Sequence, residues 1–273
     1  MIDTIIFATD FSGASRKTLQ YAGRLARRAK ARIIGAHALK PPSSLYSQPP
    51  EKKRQWEEEH KSRLSTFMDS SHLRGLKVES VLVSGSPQKA LSDLARREKA
   101  DLVLVSKRSR STIEKFFVGS VTEILVGQLP CPVLVVPDEG ANTADWNPIL
   151  CPYDFSHNSR LALEYSAKLA NSYDCPLTVL HVEAGEMDAA EARQKCQEAV
   201  TIYNAPDSTR VMVISNRRPA HTIVETAQKI GSDLVVLGRR GNNEGDYVGA
   251  GTTAHQVLRE ETFPLLIVPP LGV

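Results

Sequence analysis

Apolar residues along this chain fall into short unbroken runs, separated by longer stretches in which they recur every three or four positions. Runs at residues 2–8, 32–38, 78–84, 102–105 and 133–136 have the length and the Val/Ile/Leu content of strands buried on both faces. Between them, residues 15–30, 87–97 and 118–128 have helical spacing. Leu19, Ala22, Leu25 and Ala26 share one face of the first, and Pro87 suits the first turn of the second. Residues 51–70, after the proline-rich PPSSLYSQPP, are dense in alternating charge and predict an exposed helix. The alternation then starts again. Strands are predicted at 149–153, 177–182, 211–214, 234–237 and 265–268, and helices at 158–171, 184–203, 219–230 and 253–261. Strand and helix alternating throughout predict an α/β protein with parallel sheet and helices on both faces.

The second series repeats the first. DFSGASRKTLQYAGRLA (10–26) aligns without a gap to DFSHNSRLALEYSAKLA (154–170), and His37 matches His181 in the same register. Further on, Ala100-Asp101-Leu102-Val103 matches Ser232-Asp233-Leu234-Val235, Gly119-Ser120 matches Gly251-Thr252, and CPVLVVP (131–137) matches FPLLIVP (263–269). An ordered series of matches marks a duplication. Two domains are expected, 1–138 and 147–273, joined by the polar, turn-rich DEGANTADWNP.

Composition narrows the function. A net charge of +3 is too small to argue for a nucleic-acid partner. No apolar run is long enough to cross a membrane. The N-terminus lacks the basic start and small-residue cleavage site of a signal peptide, so a cytoplasmic location is expected. Cys131, Cys151, Cys175 and Cys196 are far apart, show no metal-ligand spacing and pair with no base, so they are expected to be reduced packing residues.

The chemistry gathers after the run at 234–237. That strand ends on Gly238, followed by two residues, Gly241, nine residues, then Gly251-Thr252 and Thr253 at the head of a helix. Glycines there admit φ > 0 and the close approach of a ligand to backbone. Successive N–H groups form an anion nest, and a helix N-terminus adds donors and a positive dipole end. Thr252 and Thr253 add hydroxyls, and Arg239 and Arg240 add charge. The loop suits polyphosphate, without the Gly-Lys-Ser/Thr ending of a Walker A loop. Asp154 follows the first strand of the second copy and, in such sheets, faces the same crevice as Gly238. Asp10 or Ser12 can cap the first helix, and a cap is the favoured reading for Asp10; a cap is the competing reading for Asp154, as a solvated charge is for Arg239 and Arg240. His37 and His181 close apolar strands and are read as structural.

With both halves written out, the chain resembles a tandem universal stress protein. The resemblance rests on Gly238-2x-Gly241-9x-Gly251-Thr252, on Asp154 after the first strand, and on the terminal strands followed by proline. It implies two flavodoxin-like, adenine-nucleotide α-hydrolase-like domains, each a five-stranded parallel sheet with helices on both faces. In the second copy it implies an adenine nucleotide (ATP, ADP or AMP), with Mg2+ beside a triphosphate. Asp154 would contact ribose or adenine, Pro152 and Tyr153 would line the pocket edge, and Val182 would offer backbone groups to the adenine. Gly238, Arg240 and Gly241 would form the ribose and phosphate loop, and Gly251, Thr252 and Thr253 would hold the phosphates. In the family the terminal strands pair across a dimer interface. Here the two copies are expected to pair within one chain as a pseudo-dimer, with a further homodimer left open.

The first copy departs from the pattern. Ser106 and Ser109 stand where Gly238 and Gly241 stand in the second, although the spacing to Gly119-Ser120 and the aspartate, Asp10, are kept. Little or no nucleotide binding is expected there. Three functions remain open: a nucleotide-dependent stress-response regulator with a protein partner, a slow ATP hydrolase, and a nucleotide-independent adaptor. No general base or nucleophile–base pair stands out beside the loop, which weighs against catalysis.

Overall fold

A computed structural model of the chain describes residues 2–107, 120–138, 144, 146–185, 187–239, 252–260 and 262–270. The first copy runs β1 (Thr4–Ala8), α1 (Gly13–Ala29), β2 (Arg32–Leu39), α2 (Pro50–Met68), β3 (Val78–Ser84), α3 (Pro87–Arg97), β4 (Leu102–Ser106), α4 (Ser120–Gln128) and β5 (Val133–Val136). The second runs β6 (Ile149–Pro152), α5 (His157–Tyr173), β7 (Leu177–Glu183), α6 (Ala189–Ile202), β8 (Arg210–Ser215), α7 (Pro219–Lys229), β9 (Leu234–Gly238), α8 (Thr252–Glu260) and β10 (Leu265–Val268).

The strands form one ten-stranded sheet in the order β3-β2-β1-β4-β5-β10-β9-β6-β7-β8. Each copy contributes five parallel strands with the same internal order, and helices cover both faces. Ile5, Phe7 and Ile149 pack under α1, α2, α5 and α6, and Ile6, Leu150 and Val235 under α3, α4, α7 and α8. The two halves join where β5 and β10 run antiparallel, with Leu265 opposite Val135 and Ile267 opposite Val133. The terminal strands, each at the edge of its own half, thus lie at the centre of the molecule. Their unbroken apolar pattern follows, since all eight of their residues are buried.

Two local expectations are corrected. The segment 184–203 is not helical throughout: β7 continues to Glu183, and α6 starts only at Ala189, capped by Asp188. Neither Asp10 nor Asp154 is an N-cap. Ser12 and Ser156 cap α1 and α5 by accepting from the Ser15 and Ser159 amides. Near the end of the polar linker, Trp146 is 1% exposed and donates its indole N–H to Tyr21 Oη at 2.7 Å. Arg28 of α1 closes the same corner, donating to Ala144 O and Tyr173 O and lying 4.8 Å from the Tyr173 ring centroid.

Candidate nucleotide site at the sheet switch points

In each half the chain leaves two neighbouring strands in opposite directions, β1 and β4 in the first, β6 and β9 in the second. A crevice opens beyond the carboxyl ends of such a pair. The repeated Asp-Phe-Ser builds the turn at its mouth. Phe11 and Phe155 take left-handed backbone, φ 62° and 65°. That conformation is costly for a bulky side chain and is compensated by packing. Each ring lies against a histidine, with centroids 4.2 Å apart for Phe11–His37 and 4.5 Å for Phe155–His181. His37 Nδ1 is 2.8 Å from Thr9 O, and His181 Nδ1 is 2.8 Å from Tyr153 O, so each histidine ties β2 or β7 to the turn beside it. Both are structural in this geometry.

In the second copy, Asp154 sits just past β6. Its Oδ1 accepts from the Ser156 amide at 3.0 Å, and its own amide reaches Ser159 Oγ at 3.4 Å. Pro152 ends β6 on the face of Leu150. Tyr153 turns the other way, its ring buried in the core and edge-on to Phe155 at 5.1 Å, so only its backbone is offered at the strand end. β7 outruns β6. Alternate residues of β7 present both N–H and C=O to β6, and the Tyr153 amide donates to Leu180 O at 2.8 Å. Val182 is next in that series and faces the space past the end of β6. Glu183, also buried, accepts from the Gly185 and Met187 amides at 2.6 and 3.1 Å and fixes the turn into α6. Its signal in the sequence is an acidic residue closing an apolar strand just before Ala-Gly.

Gly238 ends β9 against the first turn of α5. A Cβ at this position would lie 2.4 Å from Asn158 O. Helix–strand packing therefore requires this glycine whether or not a ligand is present. Thr252 and Thr253 open α8, with Thr252 exposed. Arg240, Gly241 and Gly251 lie outside the described residues. Among the described predictions, then, Pro152, Asp154, Val182 and Gly238 gather at one switch point, and α8 begins on the connection leaving it.

The first copy fills the equivalent place with side chains. Ser106 Oγ is 3.4 Å from Ser15 Oγ, and Ser15 Oγ donates to Asp10 Oδ1 at 2.8 Å. Asp10 also accepts from the Ser12 amide at 3.0 Å. The second copy, with a glycine at 238, has no such chain among its described residues, and Ser159 Oγ turns back to Ser156 O at 3.1 Å. Above the first copy's turn, α2 adds His60, stacked 5.9 Å from His37, and Arg63, whose guanidinium lies 4.5 Å from the Phe11 centroid. Burial, with smaller effects from His60 and Arg63, lowers the His37 pKa from its ordinary value, against the Thr9 hydrogen bond and the Asp10 charge.

Side-chain contacts between the copies, beyond the expected strand pairing, are absent from the sequence reading. Lys107, buried, donates from Nζ to Arg259 O at 3.1 Å, and Arg239 donates from Nη1 to Leu129 O at 3.0 Å. Glu123 Oε1 of α4 lies 3.0 Å from His255 Nε2 of α8. The repeat itself carries the signal. The spacing that aligns Gly119-Ser120 with Gly251-Thr252 also aligns Lys107 with Arg239 and Glu123 with His255.

All four cysteines are free and buried, and burial pushes the Cys131 and Cys151 thiols up to about 12 and Cys196 to about 11. Such thiols are packing groups. Among the described residues no three His, Cys, Asp or Glu side chains gather as a metal site, and no helix is long and apolar enough to cross a membrane.

The universal stress protein family model matches the chain twice, over residues 1–137 and 146–269. A universal stress protein of Thermus aquaticus is 30% identical over 141 residues, half of this chain and 99% of that protein. One from Mycobacterium tuberculosis is 24% identical over 290 aligned positions, 96% of this chain and 95% of its own length. The crystal structure of a universal stress protein from Archaeoglobus fulgidus superposes with a TM-score of 0.77 at 21% identity, covering 98% of each chain.

Proposed function

The chain belongs to the universal stress protein family, and from that premise we propose that its second copy binds an adenine nucleotide at the β6–β9 switch point and signals the bound state through protein contacts. ATP is the ligand to test first, with ADP and AMP as its competitors. The observation that carries this reading is the backbone of Val182 facing the space beyond β6, beside Asp154 and the strand end at Gly238. An amide N–H and C=O side by side suit the edge of a planar base. Asp154 suits ribose hydroxyls, and the N-terminus of α8, with Thr252 and Thr253, suits phosphate. Gly238, Arg240, Gly241 and Gly251 would complete the loop, and Pro152 and the Tyr153 backbone the pocket edge. Mg2+ bound with a triphosphate would be held chiefly by the phosphates, and the absence of a carboxylate–histidine cluster among the described residues is compatible with that.

The role proposed is that of a sensor or adaptor in a stress response, with a regulatory protein as its partner. Four buried cysteines that form no disulfide fit a reducing, cytoplasmic setting. The β5–β10 pairing supports the pseudo-dimer as the working unit. The test is direct. Nucleotide released from denatured protein is identified by mass, and ATP is then titrated into wild type and Gly241→Val. Binding by wild type, lost in the variant and with turnover near background, supports the sensor. Sustained turnover makes the protein a hydrolase. No uptake at millimolar ATP leaves a nucleotide-independent adaptor.

A further inference from the structure

The contacts between the copies meet the second copy's switch point from two sides. The chain leaves β9 at Gly238, and the next residue, Arg239, is tied to the first copy through Leu129 O, just past the end of α4. The chain re-enters described structure at Thr252, the start of α8. That helix is tied to the first copy twice, by Lys107 Nζ on Arg259 O in its last turn and by Glu123 on His255 at mid-helix. The Lys107 and Arg239 bonds place a cation against carbonyls at a helix C-terminus, where the dipole favours positive charge. Lys107 is only 6% exposed. Burying a lysine is costly unless its ammonium is satisfied, and here it reaches a carbonyl of the other copy.

We propose that the first copy is the anchor of the second copy's ligand site: Lys107 and Glu123 are positioning residues that hold α8, and Arg239 holds the exit from β9, so that ligand affinity in the second copy depends on side chains of the first. This rests on the reading of the second copy as the nucleotide site. It also gives the first copy a task that needs none of the glycines it lacks. Coupling is reciprocal: ligand in the second copy tightens α4 and the end of β4 at Lys107 in the first.

The test uses the full chain. Amide exchange in the absence of ligand, and ATP titration, are measured for wild type, Lys107→Met, Lys107→Arg and Tyr21→Phe. The last removes a buried hydrogen bond far from the anchor and controls for general loss of stability. Lys107→Met is expected to speed exchange across α8 more than across α5 or α7 and to weaken ATP about fivefold or more. Lys107→Arg restores both, and Tyr21→Phe changes neither selectively. Exchange in Lys107→Met that stays at wild-type rates in α8, or rises equally in all helices, overturns the anchor. Local loosening of α8 with unchanged ATP affinity overturns the positioning role. Local loosening of α8 in a protein whose wild type takes up no ATP upholds the anchor and removes the nucleotide reading instead.

Discussion

The mouth of β1 and β4 and the mouth of β6 and β9 are built from the same Asp-Phe-Ser turn, with a phenylalanine in the same left-handed backbone over the same histidine. They differ in what stands at the end of the facing strand. In the first copy Ser106 brings a hydroxyl to Ser15, and Ser15 bonds Asp10. In the second, Gly238 brings the strand so close to α5 that even a methyl group would collide with Asn158. Both aspartates accept from the serine amide two residues on, and Asp10 accepts from the Ser15 hydroxyl as well. The comparison also separates two roles that a glycine motif merges, since Gly238 is demanded by packing alone. A glycine pattern read only as a ligand loop overstates what the first glycine contributes to binding.

The sharpest way to break this comparison is to exchange the two positions. Gly238→Ala is expected to cost about 1–3 kcal/mol, because a Cβ at 2.4 Å from a backbone carbonyl displaces α5. Ser106→Gly, losing one marginal hydroxyl contact, is expected to cost about 1 kcal/mol or less. Urea unfolding of the two variants measures both. Equal costs would show that the helix stands no closer to the strand in the second copy than in the first.

A smaller effect belongs to His37. His37 has a folded pKa below its unfolded value, so the unfolded chain takes up the proton first as pH falls. Stability is therefore expected to fall as pH drops below about 6.5, the ordinary histidine value, through the window down to the lowered folded pKa. His37→Gln is expected to flatten that slope. Thermal unfolding between pH 7.5 and 5 checks it, and an unaltered slope in the variant would assign the acid sensitivity elsewhere.

Most of the architecture was legible in the sequence, because strands buried on both faces leave unbroken Val/Ile/Leu runs and the repeat fixes their order twice. The central position of β5 and β10 was expected from the family resemblance and not from the pattern itself. A run such as LLIV reads the same at a paired edge as at the middle of a sheet. β7 runs one residue past its expected end, and the bonds Glu183 accepts from the Gly185 and Met187 amides, with His181 Nε2 3.4 Å from its other oxygen, account for a carboxylate buried there. Trp146 was hidden in a polar linker, where composition outweighed one large side chain. At the site, Asp154 and Gly238 were visible as motif residues. The Lys107, Arg239 and Glu123 contacts were not, since each depends on how two distant segments meet across β5 and β10.

The central claim is that the two mouths are functionally unequal, and calorimetric titration of the full chain with ATP tests it most directly. One site per chain is expected in wild type. Asp154→Ala should weaken it about tenfold or more, as for loss of a hydrogen bond to a charged group, and Asp10→Ala should leave both stoichiometry and affinity unchanged. Two equivalent sites, or a loss of binding that follows Asp10 instead of Asp154, would contradict it.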